Sequence, residues 1–187
     1  MNRTKHILYF AVAALALAST GSAFGVEAEF PERVEEHGVV FTLRGSGTLR
    51  FARLLRLYDA ALYTKGNGDI DDLFKDGVRL EVQYRITTRA YRLVDATYDI
   101  LERNFTPAEM ATIELRIKEI NKLWRDFEPG ERATLTYIPG RGTSLAINGE
   151  EQGVIEGEDF ARMYFAIWLG KEPASERLKE QLLGKSG

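Results

Sequence analysis

Gly45-Ser-Gly-Thr-Leu-Arg-Phe-Ala-Arg-Leu-Leu-Arg-Leu-Tyr-Asp-Ala-Ala-Leu-Tyr63 is rich in branched, aromatic and small residues, as paired strands are, yet it carries Arg50, Arg53 and Arg56. Gly45 and Gly47 mark a bend or bulge between one strand over residues 39–43 and a second over residues 54–63. In the second strand, alternation places Tyr58, Ala60 and Leu62 on one face and Leu57, Asp59, Ala61 and Tyr63 on the other. Asp59 marks the latter as the wetter face, so Tyr58 is expected to point toward helices. Arg50 reaches the same pocket if the Gly47 bend shifts the register. An unpaired guanidinium there is costly, so it requires a carboxylate from the protein or from a ligand. The other reading leaves Arg50 in solvent or pairs it with an acid such as Glu102 or Glu114. Arg53 and Arg56 are expected in solvent at the turn between the strands.

Outward from this stretch, residues 65–69 form a turn cluster. Asn67, Asp69 and Asp71 have a trace of calcium-loop spacing, but Asp72 and Val78 occupy the positions that need glycine and glutamate, so an Asp-capped helical turn at Leu73-Phe74 is expected instead. Residues 78–87 alternate, with Leu80, Val82, Tyr84 and Ile86 against Arg79, Glu81, Gln83 and Arg85, which predicts a strand with one buried and one wet face. A helix follows over residues 89–104. Thr106-Pro107-Ala108-Glu109 then supplies a threonine N-cap, a proline at the first helical position and a glutamate closing a capping box. The stripe Met110, Ile113, Ile117, Ile120, Trp124, Phe127 has helical spacing and reads as core. Short strands over 133–138, 144–147 and 153–155 make a meander with a tight Asn148-Gly149 turn, and two helices close the chain. Strands early and late with helices between and after them predict an α+β class.

At 187 residues and 44% hydrophobic content, the chain suits one domain. Arg3, Lys5 and His6 precede the apolar run from Ile7 to Ala18, and Gly21-Ser22-Ala23 offers a cleavage site, so residues 1–23 read as a signal peptide and residues 24–37 as a flexible lead-in. A periplasmic or secreted protein without a transmembrane segment is expected after cleavage. That cleavage removes two basic side chains and no acid, leaving 23 basic against 28 acidic and a net charge of −5, which argues against nucleic acid as a partner. There is no cysteine, so packing alone holds the fold, and two histidines, His6 and His37, cannot assemble a histidine metal cluster. No cofactor is expected. A hydrolytic triad would have to use His37, which reads as a surface residue beside Glu35 and Glu36.

Two longer patterns carry a resemblance. The segment from Gly45 to Lys65 resembles the Gly-x-Gly-x-Arg and Val-Tyr-x-x-Ala-Leu-Tyr strand pair of the bacterial chalcone isomerase-like proteins, with Leu57 where valine is usual. The C-terminal part resembles that family further, in Pro139-Gly-x-Gly-Thr143, Asn148-Gly149, Gly153-x-Ile-x-Gly157, Ile167-Trp-Leu-Gly170 and the final Leu-Leu-Gly184. The likeness spans residues 38–184. It implies an open-faced sandwich, an antiparallel β-sheet covered on one face by a layer of α-helices, with an elongated apolar cleft between them.

In the family, the resemblance implies two chemistries: cyclisation of a chalcone, or binding of a fatty acid whose carboxylate is gripped by an arginine and a tyrosine. Arg50 falls at the family's arginine. Tyr58 falls where the isomerases have threonine and the fatty-acid binders have tyrosine. Thr97 stands where the catalytic tyrosine of the isomerases belongs, with Tyr98 one position away, and Ile167 stands where they carry a serine or threonine. Arg50, Tyr58, Tyr63, Tyr98 and Asn104 are therefore the candidate ligand-binding residues, for a small lipophilic carboxylate such as a fatty acid, with the tail against Leu62, Ile100 and Ile117. An isomerase or lyase acting on an unsaturated ketone, and an interaction module with a closed cleft, remain as alternatives, and the oligomeric state is open.

Overall fold

The computed structural model describes residues 29–185 except 53 and 67. The expected signal peptide lies outside the described residues, as do residues 24–28 of the expected lead-in. Seven strands form one antiparallel sheet in chain order: β1 (Arg33–Glu36), β2 (Val39–Phe51), β3 (Leu55–Thr64), β4 (Val78–Tyr84), β5 (Arg132–Ile138), β6 (Gly142–Ile147) and β7 (Glu150–Ile155). Helix α1 (Ile70–Asp76) joins β3 to β4, α2 (Ala90–Asn104) and α3 (Pro107–Asn121) join β4 to β5, and α4 (Glu158–Leu169) and α5 (Glu176–Leu182) follow the sheet. The class is α+β, as the order of elements predicts.

Local chemistry accounts for the elements. Thr106 accepts from the Glu109 backbone N–H while the Glu109 carboxylate reaches back to the Thr106 N–H, the full capping box. Ser175 caps α5 through the Leu178 N–H. Asn148 and Gly149 both have positive φ, the geometry of a two-residue hairpin turn.

One sheet face meets the helices in the main core, where Leu62, Leu80 and Leu145 from strands pack with Ile113, Ile117 and Phe160 from helices, all 0–1% exposed. The parity expected for β3 holds: Ala60 and Leu62 lie in this core, and Ala61 and Tyr63 in a separate cluster with Phe41.

The structure departs from expectation in four places. β2 runs unbroken through Gly45 and Gly47, with a bulge between Leu43 and Gly45. A Cβ on Gly45 would lie 2.2 Å from the Gln181 carbonyl oxygen, so the glycines admit α5 against the strand rather than bend it away. The lead-in expected over residues 24–37 includes β1, which pairs with β2 from Arg33↔Thr42 to Glu36↔Val39. Four residues with a single inward apolar side chain, Val34, are too short for alternation to register. Helix α3 ends at Asn121, so Trp124 and Phe127 pack from the following loop, and Phe127 makes an isolated bridge with Thr88. The face expected to be wet carries buried polar groups: Arg79 bonds Glu36 (3.0 Å) and Glu81 (2.7 Å), Arg132 also reaches Glu81, and Thr136 donates to Glu36. Phe30, β1 and the Arg132 side chain that lies over Phe30 help to cover it.

Candidate functional site

Tyr58 is the residue around which a site can be built. β3 aims it into the seam between sheet and helices, where the Trp168 indole N–H, on the next-to-last residue of α4, donates to its hydroxyl at 3.1 Å. Its ring meets Tyr84 edge-on at 6.2 Å, and Tyr84 stacks on Phe127 at 4.2 Å. Burial pushes the Tyr58 pKa above its ordinary value of 10, and the indole hydrogen bond only partly offsets this. Because the hydroxyl oxygen accepts from Trp168, its own proton is left for another acceptor. This phenol is a donor and not a base.

The register decides the place of Arg50. Leu49 pairs with Tyr58, and Arg50 then pairs with Arg56, so Leu57 is an extra residue bulged out of β3. Leu49 joins Tyr58 against the main core. Alternation from Leu49 gives Arg50 the opposite face, where it is exposed and makes no side-chain hydrogen bond or ion pair among the described residues. Neither Glu102 nor Glu114 pairs with it among the described residues, Glu114 bonding Tyr98 and Lys118, and the hairpin's own carboxylate, Asp59, serves other donors. Asp59, 4% exposed, accepts from Thr48 (2.5 Å), Arg56 (3.1 Å) and Arg85 (2.5 Å). Burial pushes the Asp59 pKa up, and the three donors outweigh it and hold it below 3.8.

The other candidates are dispersed. Tyr63 lies on the far face under the Arg79 guanidinium, 5.2 Å from its ring centre, and burial raises its pKa to about 12. Tyr98 projects from α2 and donates to Glu114 on α3 at 3.5 Å. Asn104 ties the end of α2 to the loop after α4: its amide donates to the Ile100 and Glu172 carbonyls at 2.8 Å and accepts from the Glu172 N–H at 2.9 Å. Thr97 donates to the Leu93 carbonyl and meets the Tyr164 hydroxyl, and Ile167 is buried apolar packing. Leu62, Ile100 and Ile117 are packed within the core. An apolar groove of about 150 Å³ lies between α1 and α4, lined by Ile70, Phe74, Phe165 and Leu169 with Arg162 at its edge. Phe165 touches the Trp168 ring edge-on, which links this groove to the Tyr58 seam. Trp168 is the site residue that sequence reading passes over. Its helical spacing reads as core, and only the demand of a buried indole N–H for an acceptor would signal a partner.

A protein-family model described as chalcone isomerase-like matches residues 24–184. The chain belongs to the chalcone isomerase-like family. Among solved structures it is similar to a fatty-acid binding protein of Arabidopsis thaliana, with 16% identity and a TM-score of 0.61 over 82% of this chain and 90% of that one. At this identity the likeness speaks for the fold. A search of curated protein sequences finds no match.

Proposed function

We propose that this chalcone isomerase-like protein is a non-catalytic binder of a lipophilic carboxylate such as a fatty acid, with the Tyr58 hydroxyl as its polar anchor. The observation that carries the reading is the Trp168-to-Tyr58 hydrogen bond, which fixes the phenol and turns its proton toward any acceptor entering the seam. Membership of the family, and the fold shared with a fatty-acid binding protein, support the same chemistry. Arg50 acts at the mouth, steering an anion from the exposed end of β2, rather than as the second jaw of a clamp. The acyl chain enters by parting Leu49 and Trp168 and runs toward the α1–α4 groove. Each buried methylene contributes about 0.8 kcal/mol before the cost of moving these side chains.

Native mass spectrometry of the purified protein tests this. We expect a bound fatty acid in the wild type, lost in Tyr58→Phe and weakened in Arg50→Ala. A protein that is empty and also ignores added fatty acids would sink the reading. It would leave the interaction module as the better account, which the packing of Leu62, Ile100 and Ile117 within the core favours. An isomerase lacks support, since the Thr97 and Ile167 positions offer neither the phenol nor the hydroxyl it needs. We propose further that the protein is exported to the periplasm or medium. N-terminal sequencing of the extracytoplasmic protein should begin near Phe24.

A further inference from the structure

The hairpin that carries Arg50 ends in an apolar tip that the fold does not use. Leu54 is 88% exposed and Leu55 44%, whereas Leu57 is buried. The stretch Arg50-Phe-Ala-Arg-Leu-Leu-Arg56 contains three arginines and no acid, in a chain whose formal net charge is −3. Arg56 and Arg85 share the single carboxylate of Asp59, so that trio retains a positive charge, and Arg50 adds another without a partner among the described residues. Ala52 holds the turn at φ 47°, a left-handed conformation that alanine disfavours. Leu115, the other strongly exposed leucine, sits on α3 between Glu114 and Arg116 with no neighbouring apolar patch in sequence.

We propose that this tip docks the protein onto an anionic lipid bilayer. Leu54 and Leu55 enter the boundary between headgroups and acyl chains, and Arg50 and Arg56 face the lipid phosphates. Two leucines alone would bind marginally, and the arginines provide the second attraction that stable surface binding needs. The acidic remainder of the chain keeps the rest of the surface off the membrane and so sets the orientation. Tyr58 lies three residues from Leu55 on the same strand, about 10 Å away along it, so docking brings the Tyr58 seam to the lipid surface. The proposal stands on the tip alone and does not require that the protein carry cargo.

The absence of cysteine makes a local test clean. The full-length variant Leu54→Cys, labelled with a polarity-sensitive dye, is titrated with vesicles of phosphatidylcholine alone or mixed with phosphatidylglycerol. We expect a blue shift on the mixed vesicles only, reversed at about 1 M salt, where the screening length falls to about 3 Å. Arg50→Glu in the same background should raise the lipid concentration needed at least five-fold. The same dye on Leu115→Cys should not respond. Equal responses at both positions, or none at position 54, would overturn the proposal. A blue shift that grows with protein concentration in the absence of vesicles would make the tip a self-association surface, and would overturn it too.

Discussion

Asp59 explains why the arginines of this hairpin do not all seek a ligand. Its side chain is 5% exposed and binds Arg56 and Arg85, which are themselves 30% and 19% exposed. Removing the carboxylate charge leaves two cations on one neutral amide, so Asp59→Asn should destabilise the fold by about 3 kcal/mol. A fall in the urea midpoint at unchanged slope would register it. Losing Arg50, which has no partner among the described residues, should change stability by less than about 0.5 kcal/mol. The contrast between these two variants separates structural from free arginines. Alternation, with Asp59 marking the wetter face, places Tyr58, because β3 keeps strict parity from Tyr58 to Tyr63. The face of Arg50 was not legible. It depends on Leu57 being extra in the β2–β3 register, and leucine carries no mark of a bulge. Ala52 offers a converse test: Ala52→Gly relieves a left-handed alanine and should stabilise the protein by about 1 kcal/mol.

At the scale of elements, the long β2 strand and the short α5 helix pack against each other closely enough to need glycine between them. A Cβ at Gly45 would meet three backbone atoms of residues 181–184 within 2.9 Å, and one at Gly47 would strike the Gln181 side chain at 2.3 Å. Backbone cannot swing aside as a side chain can. Gly45→Ala should therefore lift α5 and cost about 2–3 kcal/mol, whereas Gly47→Ala should cost less, because the Gln181 amide can rotate away and only the Gln181 Cβ, at 2.7 Å, stays in place. Thermal melts of the pair, read alongside protease sensitivity of the last ten or so residues, check the order. Thr106→Ala, which opens the capping box of α3, should cost about 1 kcal/mol. The elements most legible in the sequence were those whose signals are local, as this cap and the Asn148-Gly149 turn are. Those that were missed depend on partners distant in sequence. β1 exists because β2 offers it an edge, and the packing of Trp124 and Phe127 outlasts the helix because Thr88 pairs with Phe127.

For the whole molecule, both sheet faces hold ionisable groups whose proton affinity folding changes, and the changes have opposite consequences at the two ends of the pH scale. Glu131 accepts from Arg125, the Glu128 N–H and Asn148, which hold its pKa at about 2 against an ordinary 4.5. Asp59, Asp126 and Asp159 are lowered as well. A lowered carboxyl contributes stability above its unfolded value, lost as pH falls toward the folded one, so acid should weaken the fold from about pH 5 downward. The tyrosines behave in the reverse sense. Burial raises Tyr63 and Tyr164 to about 12, and Tyr58 and Tyr84 rise too, from an ordinary 10. Below pH 10 folded and unfolded chains both keep these protons. Above it the unfolded chain releases them first, so each unit of rising pH favours unfolding until the folded phenols also ionise. The urea midpoint should thus hold a plateau between about pH 5 and 9 and fall on both sides. The tyrosinate absorbance contributed by these four phenols should rise together with the loss of structure on the alkaline side, not ahead of it. Tyr58→Phe should flatten that alkaline limb while leaving the acid limb in place. An unchanged alkaline slope would mean that Tyr58 ionises as readily in the folded protein as in the unfolded chain, and so that its hydroxyl is not desolvated in the seam.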